Sequence, residues 1–152
     1  MDKDPFRPTD EQARALAQSL IGSAKHGALA VLLNGEPFAS RIALARGEKA
    51  LLTLISDLAP HTDALRHHPR ASIMIGEPGK GDPLAHPRLT LTVQAEFIEK
   101  AAAADQYLAQ QPKAQLYIGF EDFHLVRLVP SQGLLNGGFG KAYRLTPYDL
   151  GF

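Results

Sequence analysis

Between Ala28 and Ser56 the chain runs through three apolar stretches, Ala28 to Leu33, Phe38 to Ala45 and Ala50 to Ser56, parted only by Asn34-Gly35-Glu36-Pro37 and Arg46-Gly47-Glu48. Gaps that short accommodate tight reversals but no crossover helix, so the stretches predict a three-stranded antiparallel meander. A doubly wound parallel sheet, which needs a helix between successive strands, is excluded by the same spacing.

Around this meander the period changes. Thr9 to Gln12 has the form of a capping box, and Ala13, Leu16, Ala17, Leu20, Ile21 and Ala24 recur at helical spacing, predicting an amphipathic helix that ends near Gly27. A short helix is predicted from Pro60 to His67, because proline suits a first helical position and Pro69 stops the chain soon after. Arg70 to Gly76 reads as a fourth strand and Glu77 to Pro87 as a loop. The clearest strand is Leu89 to Phe97, where Leu89, Leu91, Val93, Ala95 and Phe97 alternate with polar residues and predict one dry face. Helices over Glu99 to Gln110 and Pro112 to Ile118, a strand over Phe123 to Val129 and a last one over Lys141 to Leu145 complete the pattern. It amounts to a mostly β (α+β) chain, a small antiparallel barrel with packed helices, expected to form a single domain over residues 1–152.

Composition narrows the function. With 16 Lys+Arg against 16 Asp+Glu there is no basic excess of the kind that holds nucleic acid. The absence of cysteine removes disulfides, thiolate zinc sites, iron-sulfur clusters and cysteine nucleophiles, so redox chemistry requires a bound cofactor. The start Met1-Asp2-Lys3-Asp4-Pro5 lacks the basic and apolar segments of a signal peptide, and no apolar run approaches the ~20 residues that cross a bilayer. A cytoplasmic location without membrane contact is expected.

Few motifs carry chemistry. Glu77 to Asp82 lacks the glycine and hydroxyl positions of a phosphate loop and reads as an exposed loop, and Gly137-Gly138-Phe139-Gly140 lacks dinucleotide-fingerprint spacing and reads as a turn. The six histidines, His26, His61, His67, His68, His86 and His124, form no zinc pattern, so no metal site is expected; His67 and His68 read as surface residues and His124 as a satisfied or exposed strand histidine. Ser56 to Thr62 joins a buried strand to the first turn of a helix. Two readings stand for it: a phosphate seat on the helix N-terminus, or a plain N-cap by Asp57 or Thr62. Arg41 is equally divided between reaching a phosphate at that seat and facing solvent from its strand.

Taken in chain order, Gly27-Ala28-Leu29-Ala30, Gly35 to Arg41, Leu51 to Thr62, Asp82-Pro83-Leu84 with Pro87 to Leu91, Tyr107-Leu108, Gln111-Pro112, Phe120 to Phe123 and Gly137 to Ala142 resemble the pyridoxamine 5'-phosphate oxidase-like, flavin-binding split-barrel superfamily, and within it the haem-utilisation branch. The resemblance implies a six-stranded antiparallel split β-barrel with packed helices, paired into a homodimer with interfacial cofactor sites. Flavin mononucleotide (FMN) is the implied cofactor. By the same likeness Ser40, Arg41 and Ile42 line the flavin, Ser56, His61 and Thr62 hold its phosphate, Arg88 lies nearby, and Phe139 with Gly140 approach from the partner chain. A ring at Phe139 suits stacking on an isoalloxazine face.

The function so implied is an FMN-dependent oxidoreductase or flavin carrier for a small molecule, the catalytic residues remaining unknown. The alternatives are haem binding or degradation, with His86 and His124 as axial candidates, a deazaflavin protein, or a non-catalytic dimeric cofactor-binding module. His61-Thr62 stands where the vitamin-forming oxidases carry Arg-Lys, and the chain has no tryptophan, so pyridoxamine 5'-phosphate oxidation is not expected. No histidine follows His124, so ligation by a tail histidine of the kind found in haem-utilisation relatives is not expected either.

Overall fold

A computed structural model describes residues 4–152; the charged start on which the location expectation partly rests, Met1 to Lys3, lies outside the described residues. The strands are β1 (Phe6–Arg7), β2 (His26–Leu33), β3 (Glu36–Ala43), β4 (Ala45–Arg46), β5 (Leu51–Ser56), β6 (Arg70–Ile75), β7 (Arg88–Ile98), β8 (Phe123–Asn136) and β9 (Ala142–Leu145). The helices are α1 (Glu11–Ser23), α2 (Pro60–His67) and α3 (Ala104–Gln110), with short 3₁₀ turns at Pro83–Ala85, Lys100–Ala102 and Pro112–Leu116. No helix among the described residues is long and apolar enough to cross a membrane.

The strands run in the order β1-β9-β8-β7-β6-β2-β3, with β5 attached to β8 and β4 to β5. This is the split-barrel architecture with more strands than the expected six, and one pairing, β1 with β9, is parallel. The β2–β3 hairpin closes through Asn34 and Gly35, both at positive φ (53° and 79°), which is the two-residue turn that matches strand twist. The expected third strand of the meander behaves differently. β5 pairs with β4 and with β8 rather than with β3, because the chain bends through β4 and a Gly47–Ala50 reversal before β5 begins.

Strand β8 organises the barrel. Its first half pairs with β5, its second half with β9, and nearly all of it with β7. The strand expected over Phe123 to Val129 is longer in the structure and runs past Pro130 to Asn136. The ladder continues through a bulge, with Val93 opposite Pro130 and Thr92 opposite Gln132. A bulge tolerates a residue that lacks an amide hydrogen.

Two cores result. Leu29, Ile73, Leu89, Leu91, Val126 and their neighbours fill the barrel, closed by Ala13, Ala17 and Ile21 of α1 and by Ala64 and Leu65 of α2. Leu52, Leu54 and Leu125, on the other side of β5 and β8, pack with Tyr107, Ala114 and Ile118. Phe97, expected on the dry face of β7, lies past the core and packs edge-on against His124 instead. The caps also differ from expectation. Asp10, not Thr9, caps α1 through the Ala13 amide, while the Thr9 hydroxyl donates to the Arg144 carbonyl. Ala59 holds the cap position of α2 without a side-chain bond, so neither Asp57 nor Thr62 serves there.

Candidate cofactor site

Successive residues of a strand face opposite sides of the sheet, and β3 uses this to separate Ser40 from Arg41. Ser40 faces inward, where its hydroxyl lies 3.0 Å from Nδ1 of His61 on α2. Ile42 also faces inward and is buried in the barrel core, whereas Arg41 is exposed on the outer face.

The segment joining β5 to α2 is tightly stitched. The Thr62 hydroxyl donates to the Ser56 carbonyl at 2.6 Å, and the Leu58 amide donates to the Ser56 hydroxyl oxygen at 3.1 Å. Thr62 is fully buried and His61 nearly so. Burial holds the His61 imidazole below its ordinary pKa, so it is neutral at pH 7. Ser40, Ser56, His61 and Thr62 are thus neutral groups already held by local hydrogen bonds, and Arg66, further along α2, is paired with Asp57 at 3.1 Å.

On the outer face Arg41 stands opposite Ala28 of β2, and Ala28 opposite Met74 of β6. A groove of about 530 Å³ opens there, lined by Ser23, Ala24, Lys25, His26, Gly27, Ala28, Arg41 and the Met74 to Pro78 stretch, with Leu20 at its back. A second groove of about 270 Å³ shares Met74, Gly76 and Pro78 with it and continues along Pro83, Leu84, His86, Pro87 and Arg88. The first is cationic at its α1 end; the second is mostly apolar.

Arg88 is held in place by its own loop, donating from Nη1 to the carbonyls of Leu84 (3.1 Å) and His86 (3.3 Å). It pairs in register with Asn136, whose side chain accepts from the Gly138 amide in the β8–β9 turn. A side chain at Gly138 would lie 3.3 Å from the Ala85 carbonyl, which places this turn against the 83–88 loop. Phe139 projects from the turn, 68% exposed.

The expected site residues thus fall into separate places. Ser40, Ser56, His61 and Thr62 gather around the start of α2; Arg41 lies on the outer face; Arg88 lines the second groove, and the turn carrying Phe139 and Gly140 meets the 83–88 loop at Ala85. Of the two axial candidates, His86 lines the second groove with Nε2 held 2.7 Å from the Lys80 carbonyl oxygen. His124 lines neither groove; its Nε2 sits 2.7 Å from Asp57 and 3.0 Å from Arg66. No cluster of three or more metal-ligating side chains exists among the described residues. Lys25, His26 and Met74 carry no expected site role, because they lie just after α1, at the start of β2 and on β6, and meet Arg41 only when β2 is seated between β3 and β6.

No protein-family model matches the chain. The haem oxygenase HutZ of Vibrio cholerae is 32% identical over 124 residues, spanning 76% of this chain and 70% of that protein. A solved haem-binding protein from Mycobacterium smegmatis is 34% identical with a TM-score of 0.84, covering 95% of this chain, which spans only 61% of that longer one. A general stress protein 26-related structure from Clostridium acetobutylicum, of the pyridoxine-phosphate oxidase family, shares the fold at 14% identity and a TM-score of 0.73.

Proposed function

From the premise that this chain belongs to the haem-utilisation branch of the pyridoxamine 5'-phosphate oxidase-like split-barrel superfamily, we propose that it binds haem, as a homodimer, in the paired grooves on the outer face of the barrel. The names of its more similar relatives favour haem over FMN. The observation that carries the reading is the continuity of the two grooves at Met74, Gly76 and Pro78, which offers a flat, partly apolar channel ending in cations. A planar macrocycle with acidic substituents matches that channel. An FMN phosphate at the start of α2 would find no cationic partner in the neutral His61 and the inward-turned Thr62.

When bound, haem supplies an iron centre capable of ligand exchange and redox chemistry. The chain's contribution is to hold and cover it. Ala28 and Met74 form the floor, Pro83 and Leu84 one wall, and Arg41 and Arg88 the polar rim. Phe139 and Gly140 would cover the groove of the partner, and His26 and His86 are the histidines that line the paired grooves.

Titration with haem is expected to give a saturable Soret shift near one haem per chain, with FMN producing no comparable fluorescence quenching. Saturable FMN binding without a haem-dependent shift would overturn the reading in favour of the flavin.

The dimer rests on the same face. Ala28, Ala30 and Leu32 of β2, Ala39 of β3 and Met74 of β6 are all exposed, an apolar surface that a second copy would cover. Light scattering is expected to give a dimer mass at micromolar concentration. Ala30→Arg places a charge at the centre of the face and should yield a folded monomer; a monomeric parent protein would count against both the dimer and its shared sites.

A further inference from the structure

We propose that the acidic groups of the bound cofactor are held by Lys25 and Arg41, at the α1 end of the outer-face groove, and not by the N-terminus of α2. The proposal rests on the functional reading above for the identity of the ligand, though the chemistry it names, a carboxylate or phosphate on a planar body, is shared by haem and FMN.

Three observations converge. The first is charge. Lys25, His26 and Arg41 line one end of the groove against a single acidic residue, Glu77, and Glu77 is already paired with His26 at 2.7 Å. The Lys25 ammonium and the Arg41 guanidinium make no hydrogen bond or ion pair among the described residues, so the groove carries two uncompensated cations. A guanidinium fork and an ammonium are suited to two separate acidic groups, and each charge-assisted contact is about twice as strong as a neutral one.

The second is position. Arg41 is opposite Ala28 and Ala28 opposite Met74, so the cation stands two strand spacings, about 10 Å, from the methionine shared with the apolar groove. The methyl of Ala28 leaves the space between them open. A planar ligand laid over Ala28 and Met74 would put one edge against Arg41 and Lys25 and its other edge against Pro83 and Leu84. Polarity along the groove then sets the orientation: acidic substituents toward α1, where two cations are free, and bare ring edge toward Pro83 and Leu84, where the one cation, Arg88, already has its Nη1 committed to the Leu84 and His86 carbonyls.

The third concerns the rival seat. At the start of α2 the hydroxyl of Thr62 is turned to the Ser56 carbonyl, the Ser56 oxygen accepts from Leu58, and His61 is bonded to Ser40. An anion arriving there would displace these bonds and would have Asp57 close by, with the cation of α2, Arg66, already paired to that carboxylate at 3.1 Å. Arg41 offers no help, since it leaves β3 on the face opposite Ser40.

The test compares haem with its dimethyl ester, in which both acidic groups are masked, on the full chain. The ester should bind about 10–100-fold more weakly than haem to the parent protein. The double variant Lys25→Ala, Arg41→Ala should weaken haem by a similar factor while leaving the ester's affinity unchanged, the pattern expected when the deleted groups contact each other. The variant Ser56→Ala, His61→Gln should leave haem affinity within about 2-fold. Haem binding untouched by Lys25→Ala, Arg41→Ala, or weakened mainly by Ser56→Ala, His61→Gln, overturns the proposal.

Failure of the parent protein to bind haem at all removes the functional reading instead, and the same variants are then read with FMN against riboflavin. FMN affinity lost with Lys25 and Arg41 keeps the seat where it is placed here. FMN affinity lost only with Ser56 and His61, or no binding of either cofactor, rejects it.

Discussion

Gly76→Ala is expected to destabilise the protein by about 2–4 kcal/mol, lowering its melting temperature by roughly 10 °C. Two effects add. Gly76 sits at φ 124°, a region that L-residues rarely enter, and a Cβ there would lie 2.6 Å from the Pro87 carbonyl oxygen and 3.0 Å from the Arg88 Cα. Both obstructing atoms are backbone, so relief requires the β6 end and the start of β7 to separate. Since Pro87 and Arg88 form a wall of the second groove, haem affinity should fall with stability. Gly35→Ala is the control: it too has positive φ, 79°, but a Cβ there meets nothing within 4 Å, so only the conformational cost of about 1 kcal/mol applies. Equal melting temperatures for the two variants would show that the close approach at Gly76 contributes nothing.

Tyr107→Ala should cost about 3–5 kcal/mol, since it empties the centre of the smaller core. Tyr107 is 1% exposed on α3 and packs with Leu52, Leu54, Ala114, Ile118 and Leu125, the residues that attach α3 to the outer side of β5 and β8. Tyr107→Phe keeps that volume and should cost only about 1 kcal/mol, for the bond between the phenol oxygen and the Leu54 backbone.

The phenol also gives the protein an alkaline limit. Burial above all, with Tyr117 adding to it, pushes its pKa up to about 12 from an ordinary value of 10.0, so the fold favours the neutral form. That contribution is complete below pH ~10 and lost as pH rises from there through ~12. Denaturant midpoints measured across this range should fall in the parent protein and fall less in Tyr107→Phe; parallel curves would refute the assignment.

Much of this architecture was legible in the chain itself, and for local reasons. The Asn34-Gly35 turn, Pro60 at the first turn of α2 and the alternation from Leu89 to Ala95 are each dictated by residues adjacent in sequence, and each appears where expected. The expectations that failed depended on partners far along the chain. Nothing near Ala50 to Ser56 says whether β5 joins β3 or β8, and nothing near Pro130 says that a bulge will carry β8 onward to Asn136.

The candidate site divides along the same line. Ser40, Arg41, Ile42, Ser56, His61, Thr62, Arg88, Phe139 and Gly140 are expected from motif order, and the structure joins two of them in the His61–Ser40 contact. What sequence order could not convey is facing. Adjacent strand residues point to opposite sides, so Ser40 and Arg41, neighbours in the motif, serve different surfaces. Met74 enters the groove through its pairing with Ala28, and Lys25, just ahead of β2, joins Arg41 there because β2 pairs with β3. Turns, helix starts and strand alternation are written in the sequence because their energetics are settled within a few residues. The pairing of β5 with β8, the outward face of β2, β3 and β6, and the meeting of Lys25, Arg41 and Met74 were decided only by the closed tertiary structure. They depend on which distant strands bury each other's apolar faces.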